Sequence, residues 1–313
     1  MQIQWYPGHM YKASKELKQI LPSVDLIIEV LDARIPFSSQ NPMLASIRRD
    51  KPCIKILNKD DLADDRQTQQ WQDYLDRQKG IKTLAVNMSA PDKIKQLTAL
   101  CHKIIPKKKH SDQLLKAVII GIPNVGKSTL INILAGRSIA KTGNEPAVTK
   151  GQQRIALKSE HILLFDTPGM LWGNIENKNS GYRLATTGAI KDTAIDIDDV
   201  GFFAAEYLLK EYPQMLMDRY QLRNKPNSEL EFLEALGKKR GCLRSGGIVD
   251  LIKASKILLT ELRAGTLGKI TLETPKMMQV ESKQTAIIMA KKEEKKAIRK
   301  ARRKKGILHT SKK

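Results

Sequence analysis

Four short apolar runs punctuate residues 53–165, and each stops abruptly at a polar or glycine-rich loop. Cys53-Ile54-Lys55-Ile56-Leu57, Thr83-Leu84-Ala85-Val86, Ala117-Val118-Ile119-Ile120 and Ile162-Leu163-Leu164-Phe165 have the length and continuity of strands buried on both faces of a sheet. From residue 176 to 275 the spacing becomes helical, as in Val200 to Leu209 and Ile248 to Leu259. Asp250 or Ser245 is positioned to cap the last of these helices, and Arg263 to Gly268 closes it. The pattern predicts an α/β domain with a doubly wound, mostly parallel sheet over 1–175, a small all-α domain over 176–275, and a tail over 276–313. Pro106 to His110 reads as a linker within the first domain.

The loops at the strand ends carry the chemistry. Gly121-Ile122-Pro123-Asn124-Val125-Gly126-Lys127-Ser128-Thr129 follows one strand and opens a helix, the context a phosphate-binding loop requires. Its glycines let backbone N–H groups face a β-phosphate, and the helix N-terminus adds a favourable dipole. Lys127 is placed to reach the β- and γ-phosphates and the Ser128 hydroxyl to bind Mg²⁺. Asp166, at the end of a later strand, can hold Mg²⁺ through water, and Gly169 can offer its N–H to the γ-phosphate. Between these two loops, Thr149 is the candidate for a hydroxyl that meets Mg²⁺ only in the triphosphate state, with Thr142 as alternative.

Base choice is read from Asn58-Lys59-Asp60-Asp61. Asp61 can accept two hydrogen bonds from guanine N1–H and N2–H₂, which adenine cannot offer, so a carboxylate there favours GTP over ATP. Lys59 can lay its stem on the base, and Ser89-Ala90, after the next strand, matches the loop that meets guanine O6. The base motif precedes the phosphate loop, the reverse of the ordinary order. This inversion indicates a circularly permuted GTPase, in which the segment after Gly169 runs directly into the helical domain.

Met170 stands where a Ras-type enzyme has its water-orienting glutamine, and a thioether cannot position water. Another side chain, a potassium ion or a partner must then do so, and turnover alone should be slow. Asn124 is a candidate for holding potassium or for a purely local loop bond. His9, in the stretch Trp5-Tyr6-Pro7-Gly8-His9-Met10, is a candidate for orienting or deprotonating the water.

Trp5 to Met10, Asp32-Ala33-Arg34-Ile35-Pro36, Asn58 to Asp61, Gly121 to Ser128, Thr149, Asp166 to Gly169 and Leu184 to Ile190 together resemble the YlqF/RbgA group of circularly permuted GTPases, over nearly the whole length. The resemblance implies a role in late assembly of the large ribosomal subunit, stimulation by that subunit and by potassium, a helical domain that binds ribosomal RNA, and a part for His9 in hydrolysis. Ala147 departs from the group, which usually has glycine there.

Composition narrows the setting. The 313 residues carry a formal charge of +22, and aromatic residues are only 5%. Such an excess points to a polyanion, and few aromatics point to contacts with RNA shape and backbone more than base stacking. The densest basic run, Lys291 to Lys305, has helix-forming composition that Gly306 is expected to end. It has few large apolar residues and no aromatic for a membrane-surface helix to insert. Cys53, Cys101 and Cys242 have no metal-ligand spacing and read as reduced and structural. The chain is expected to be a cytoplasmic, bacterial monomer. Its alternative function is a nucleotide-sensing rRNA-binding module with little turnover, or an RNA chaperone acting through the tail.

Overall fold

The computed structural model describes residues 3, 5–106, 113–139 and 153–310, with side chains as far as position 299. Six strands form one sheet: β1 Leu26–Asp32, β2 Cys53–Asn58, β3 Ile81–Val86, β4 Leu115–Gly121, β5 Gln153–Leu157 and β6 Ile162–Asp166. Their order is β3-β2-β1-β4-β6-β5, and only the β5–β6 pair is antiparallel. The four apolar runs of the sequence are β2, β3, β4 and β6. The centre of the sheet also holds β1, buried at every position although Glu29 interrupts it. Lys55 on β2 explains how: its Nζ donates to Glu29 Oε2 at 2.7 Å and to Gln40 Oε1 at 2.6 Å, so the buried charges are matched. At the sheet edge, β5 alternates in exposure and pairs on one side only.

Helices cover the sheet: α1 Gly8–Ile20, α2 Pro42–Ile47, α3 Asp65–Asp76, α4 Pro91–Ile104 and α5 Lys127–Ala135. In α1 the buried positions are Met10, Ala13 and Leu17, the one-sided spacing of a helix lying on a core. The registers Asp32↔Asn58, Asn58↔Val86 and Ile119↔Asp166 bring the carboxyl ends of β1, β2, β3, β4 and β6 to one edge. Connections leave in opposite directions from β1 and β4, where an open α/β sheet forms its crevice.

The second part comprises α6 Lys178–Thr186, α7 Ile197–Glu211, α8 Pro213–Tyr220, α9 Glu229–Lys239, α10 Leu251–Ala264 and α11 Pro275–Thr310. Asp250, not Ser245, caps α10 by accepting from Lys253 N–H at 3.2 Å, and α10 starts three residues later than the apolar run from Ile248 because Val249 pairs with Leu243 in an isolated bridge. After α10 the chain returns to the sheet. Ile270 N–H donates to Leu62 O at 2.9 Å, Leu272 N–H to Arg34 O at 2.8 Å, Asp64 N–H to Thr271 Oγ1 at 3.1 Å and Trp71 Nε1–H to Glu273 O at 3.0 Å.

The basic run is helical, but its helix begins at Pro275 and continues through Gly306 to Thr310. The expectation that Gly306 ends it is therefore corrected: one glycine costs only about 1 kcal/mol against alanine in a long helix of good formers. No described helix is long and apolar enough to cross a membrane. All three cysteines are free and buried.

Candidate guanine-nucleotide site

The phosphate loop turns from β4 into α5 through Gly126, whose φ of +95° is left-handed and whose missing side chain leaves room for Asn58. Asn58 Nδ2 donates to Val125 O at 2.7 Å, tying the base motif to the phosphate loop. Asn124 has φ +56°, and its Nδ2 donates to Gly188 O at 2.9 Å, beyond α6. Lys127 is buried, with Nζ donating to Gly121 O at 3.3 Å and Ile122 O at 3.4 Å. Ser128 and Thr129 follow it in the first turn of α5, half-buried.

Asp166 faces this loop and is completely buried. Neither carboxylate oxygen has a hydrogen-bond partner among the described residues. Burial pushes its carboxyl up to about 6, against the pull of Lys127, and burial brings Lys127 down to about 8, against the pull of Asp166. A buried, unpartnered carboxylate beside a phosphate loop is the donor set a hard divalent cation with water ligands fits, so the site suits Mg²⁺.

The segment after β6 lies against the loop. Thr167 Oγ1 donates to Ile119 O at 2.9 Å and Met170 N–H to Gly121 O at 3.1 Å. A β-carbon on Gly169 would stand 3.0 Å from Pro123 Cα and 3.2 Å from Lys127 Nζ, so only glycine allows this approach without displacement. Met170 and Leu171 are buried. Leu171 N–H points at Met10 Sδ, 3.4 Å away, which seats α1 on the exit from Gly169. His9 is one residue before Met10, exposed in the first turn of α1.

The base side is built from the ends of β2 and β3. Lys59 adopts φ +64°, and its Nζ donates to Asp32 Oδ2 at 2.9 Å. Asp60 braces the next loop by accepting from Asn87 Nδ2 and Lys93 Nζ, each at 3.2 Å, and Ser89 N–H donates to Asn87 Oδ1 at 2.9 Å. Asp61 and Ser89 are exposed and Ala90 half-buried.

The structure thus brings together Asn58, Asn124 to Thr129, Asp166 and Gly169, with Lys59 beside them; Thr149 and Thr142 lie outside the described residues. Sequence reasoning missed Asp32, Met88 and Met10 as parts of the site. A β-carbon on Gly126 would meet Met88 Cε at 3.7 Å. The Asp32-Ala33-Arg34 stretch was visible as a motif, but its contact with Lys59 depends on strand register.

A family model described as "50S ribosome-binding GTPase" matches residues 116–222. Ribosome biogenesis GTPase A of Bacillus cereus is 47% identical over 283 residues, covering 88% of this chain and 95% of that protein. Its counterpart in Thermotoga maritima is 31% identical, covering 90% and 99%. The crystal structure of GNP-bound YlqF from T. maritima superposes with a TM-score of 0.59 at 28% identity, covering 84% of this chain and 98% of that one. Base motif after β2, phosphate loop after β4 and a parallel sheet continuous through both define a circularly permuted P-loop GTPase. The chain belongs to the ribosome biogenesis GTPase A (YlqF/RbgA) family.

Proposed function

We propose that this GTPase drives a late step in large-subunit assembly in the bacterial cytoplasm, binding ribosomal RNA of the subunit precursor as a monomer in the GTP state and leaving after hydrolysis. The observation that carries this is the route from Gly169 to the basic helix. Met170 and Leu171 pass between the phosphate loop and α1, the chain enters α6, and Arg183 of α6 grips Glu281 of α11 at 2.6 Å. A change at the γ-phosphate therefore has a packed and charge-paired path to the surface with the greatest affinity for phosphate backbone. The names of the relatives support the ribosomal setting.

In this reading Asn58, Lys59, Asp61, Ser89 and Ala90 hold the guanine, and Asn124, Val125, Gly126, Lys127, Ser128 and Thr129 hold the phosphates. Ser128, Asp166 and, in the triphosphate state, Thr149 would hold Mg²⁺, which would supply positive charge against the phosphate oxygens. Gly169 N–H donates to the γ-phosphate. Water attacks the γ-phosphorus, the bond to the bridging oxygen breaks, and GDP leaves with phosphate. Because Met170 offers no polar atom suited to that water, His9 orients it, assembled by subunit binding. Asn124, released from Gly188, helps hold a potassium ion against the phosphates.

GTP turnover in potassium and in sodium, with and without purified large subunits, tests this in the native chain and His9→Ala. Subunits should raise turnover in potassium, and the variant should lose that gain while keeping nucleotide affinity. No stimulation would favour a nucleotide-sensing RNA binder, and stimulation that survives in the variant would remove His9 from the reaction.

A further inference from the structure

Arg34 belongs to none of the loops assigned to nucleotide, yet it is among the largest fully buried side chains of the protein. A guanidinium is tolerated in the interior only where its charge is matched. Asp32 matches the charge, while Arg34 Nη1 has no hydrogen-bond partner among the described residues. Arg34 Nε donates to Asp32 Oδ1 at 2.9 Å and Nη2 to Oδ2 at 2.7 Å, a two-pronged pair, and the Arg34 N–H reaches Oδ1 at 3.1 Å. Oδ2 also accepts from Lys59 Nζ at 2.9 Å. One carboxylate thus joins the buried arginine to the lysine of the base motif.

Placement makes this more than an internal ion pair. Asp32 and Asn58 are register partners at the ends of β1 and β2, and Ala33 N–H donates to Asn58 O at 2.8 Å. Lys59 is the next residue, with a left-handed backbone that side-chain-bearing residues rarely adopt and that persists where surroundings over-determine it. A carboxylate held by one donor can still turn about its terminal torsion, whereas a fork fixes its plane and so the direction of each lone pair. The fork leaves Oδ2 aimed at Lys59. A lysine at position 34 would supply charge without the fork.

We propose that Arg34 is a positioning residue for guanine recognition: it locks the Asp32 carboxylate, and the locked carboxylate holds Lys59 with its stem lying along the face of the base. This rests on the assignment of Lys59 to the base. Arg34 also reaches beyond the site, its Nη2 lying 3.5 Å from Thr187 O and its own carbonyl accepting from Leu272 N–H at 2.8 Å, so the lock is built on the contact between the two parts of the molecule.

A double-mutant cycle on the full chain tests it, with fluorescent GDP affinity measured well below the melting temperature and thermal melting of the nucleotide-free protein recorded beside it. Arg34→Ala should weaken GDP about tenfold, the scale of one lost charge-assisted contact, and should cost nothing further in a Lys59→Ala background. Arg34→Lys should weaken it less. Lower melting with unchanged GDP affinity would overturn the proposal, as would equal losses of affinity in both backgrounds, since a purely structural arginine gives one or the other. If Arg34→Ala does not fold, the same cycle with Arg34→Lys decides by the same criteria. Unchanged affinity in Lys59→Ala alone would instead remove Lys59 from the base site, and the proposal with it.

Discussion

Asn124 of the phosphate loop donates its side-chain amide to the backbone carbonyl of Gly188, 64 residues further on, at 2.9 Å. The loop that should surround phosphate is thus bonded to the turn that ends α6. While that bond holds, the amide nitrogen is occupied, and the phosphate loop is fastened to the segment that follows Gly169.

Replacing Asn124 tests both ends of this contact. Asn124→Gly keeps the left-handed backbone and removes the amide. The expected result is loss of most of the difference between potassium and sodium in turnover, with GDP affinity changed less than about threefold. A variant that still prefers potassium would separate Asn124 from the cation.

The opposing shifts of Asp166 and Lys127 give the nucleotide-free protein a pH signature. Asp166 ionises near 3.8 when unfolded and near 6 when folded, so across that range the folded state binds more protons and stability falls as pH rises. Lys127 keeps its proton to 10.5 when unfolded but only to about 8 when folded, so its share of stability recovers above pH 8. Asp166→Asn should therefore stabilise the nucleotide-free protein at pH 7 by on the order of 1 kcal/mol. The gain should shrink towards pH 4, and Mg²⁺-dependent tightening of nucleotide should be lost. Melting curves of the two proteins across pH check this, and equal midpoints at pH 7 would contradict a buried charge at Asp166.

Met10 links α1 to the switch exit, so its loss should act in two ways. Met10→Ala removes a fully buried side chain and should cost about 3 kcal/mol by chemical denaturation. It should also lower subunit-stimulated turnover while leaving GDP affinity intact, because only the seat of His9 has shifted. Full stimulation in the folded variant would show that α1 need not be fixed there.

The start of α11 is structural and its end is basic, and two variants should separate these parts. Glu281 accepts from Arg183, Asn177 and Asn179, and removing it leaves the buried Arg183 with Glu273 at 3.8 Å. Glu281→Ala should cost about 2 kcal/mol and expose α11 to proteolysis. Truncation after Lys291 keeps that joint and should leave melting unchanged while weakening subunit binding and flattening its salt dependence. Unchanged binding at physiological salt would mean the charge lies elsewhere in the interaction.

What was legible in the sequence is what is local. A glycine-rich turn between an apolar run and a helix declares a phosphate loop from its own nine residues, and Asn58 to Asp61 declares its place at a strand end. The unread strand β1 was hidden by Glu29, whose partner Lys55 is 26 residues away. Asp32 to Lys59, Met10 to Leu171 and Asn124 to Gly188 are likewise contacts between loops brought together by sheet register, with no periodicity of their own. Gly306 misled for the opposite reason, because a local breaker signal was outweighed by the helix around it.

The helical part is fastened to the nucleotide domain at both of its ends. It leaves through the residues after Gly169 and comes back at Ile270 to Glu273, stitched to Leu62, Asp64, Arg34 and Trp71. A body hinged at one end can swing away, whereas one held at both ends, and again by Asn124 to Gly188 and Arg34 to Thr187, is kept from swinging. Movement at the phosphate-side attachment would then strain the helical part against its guanine-side attachment instead of freeing it.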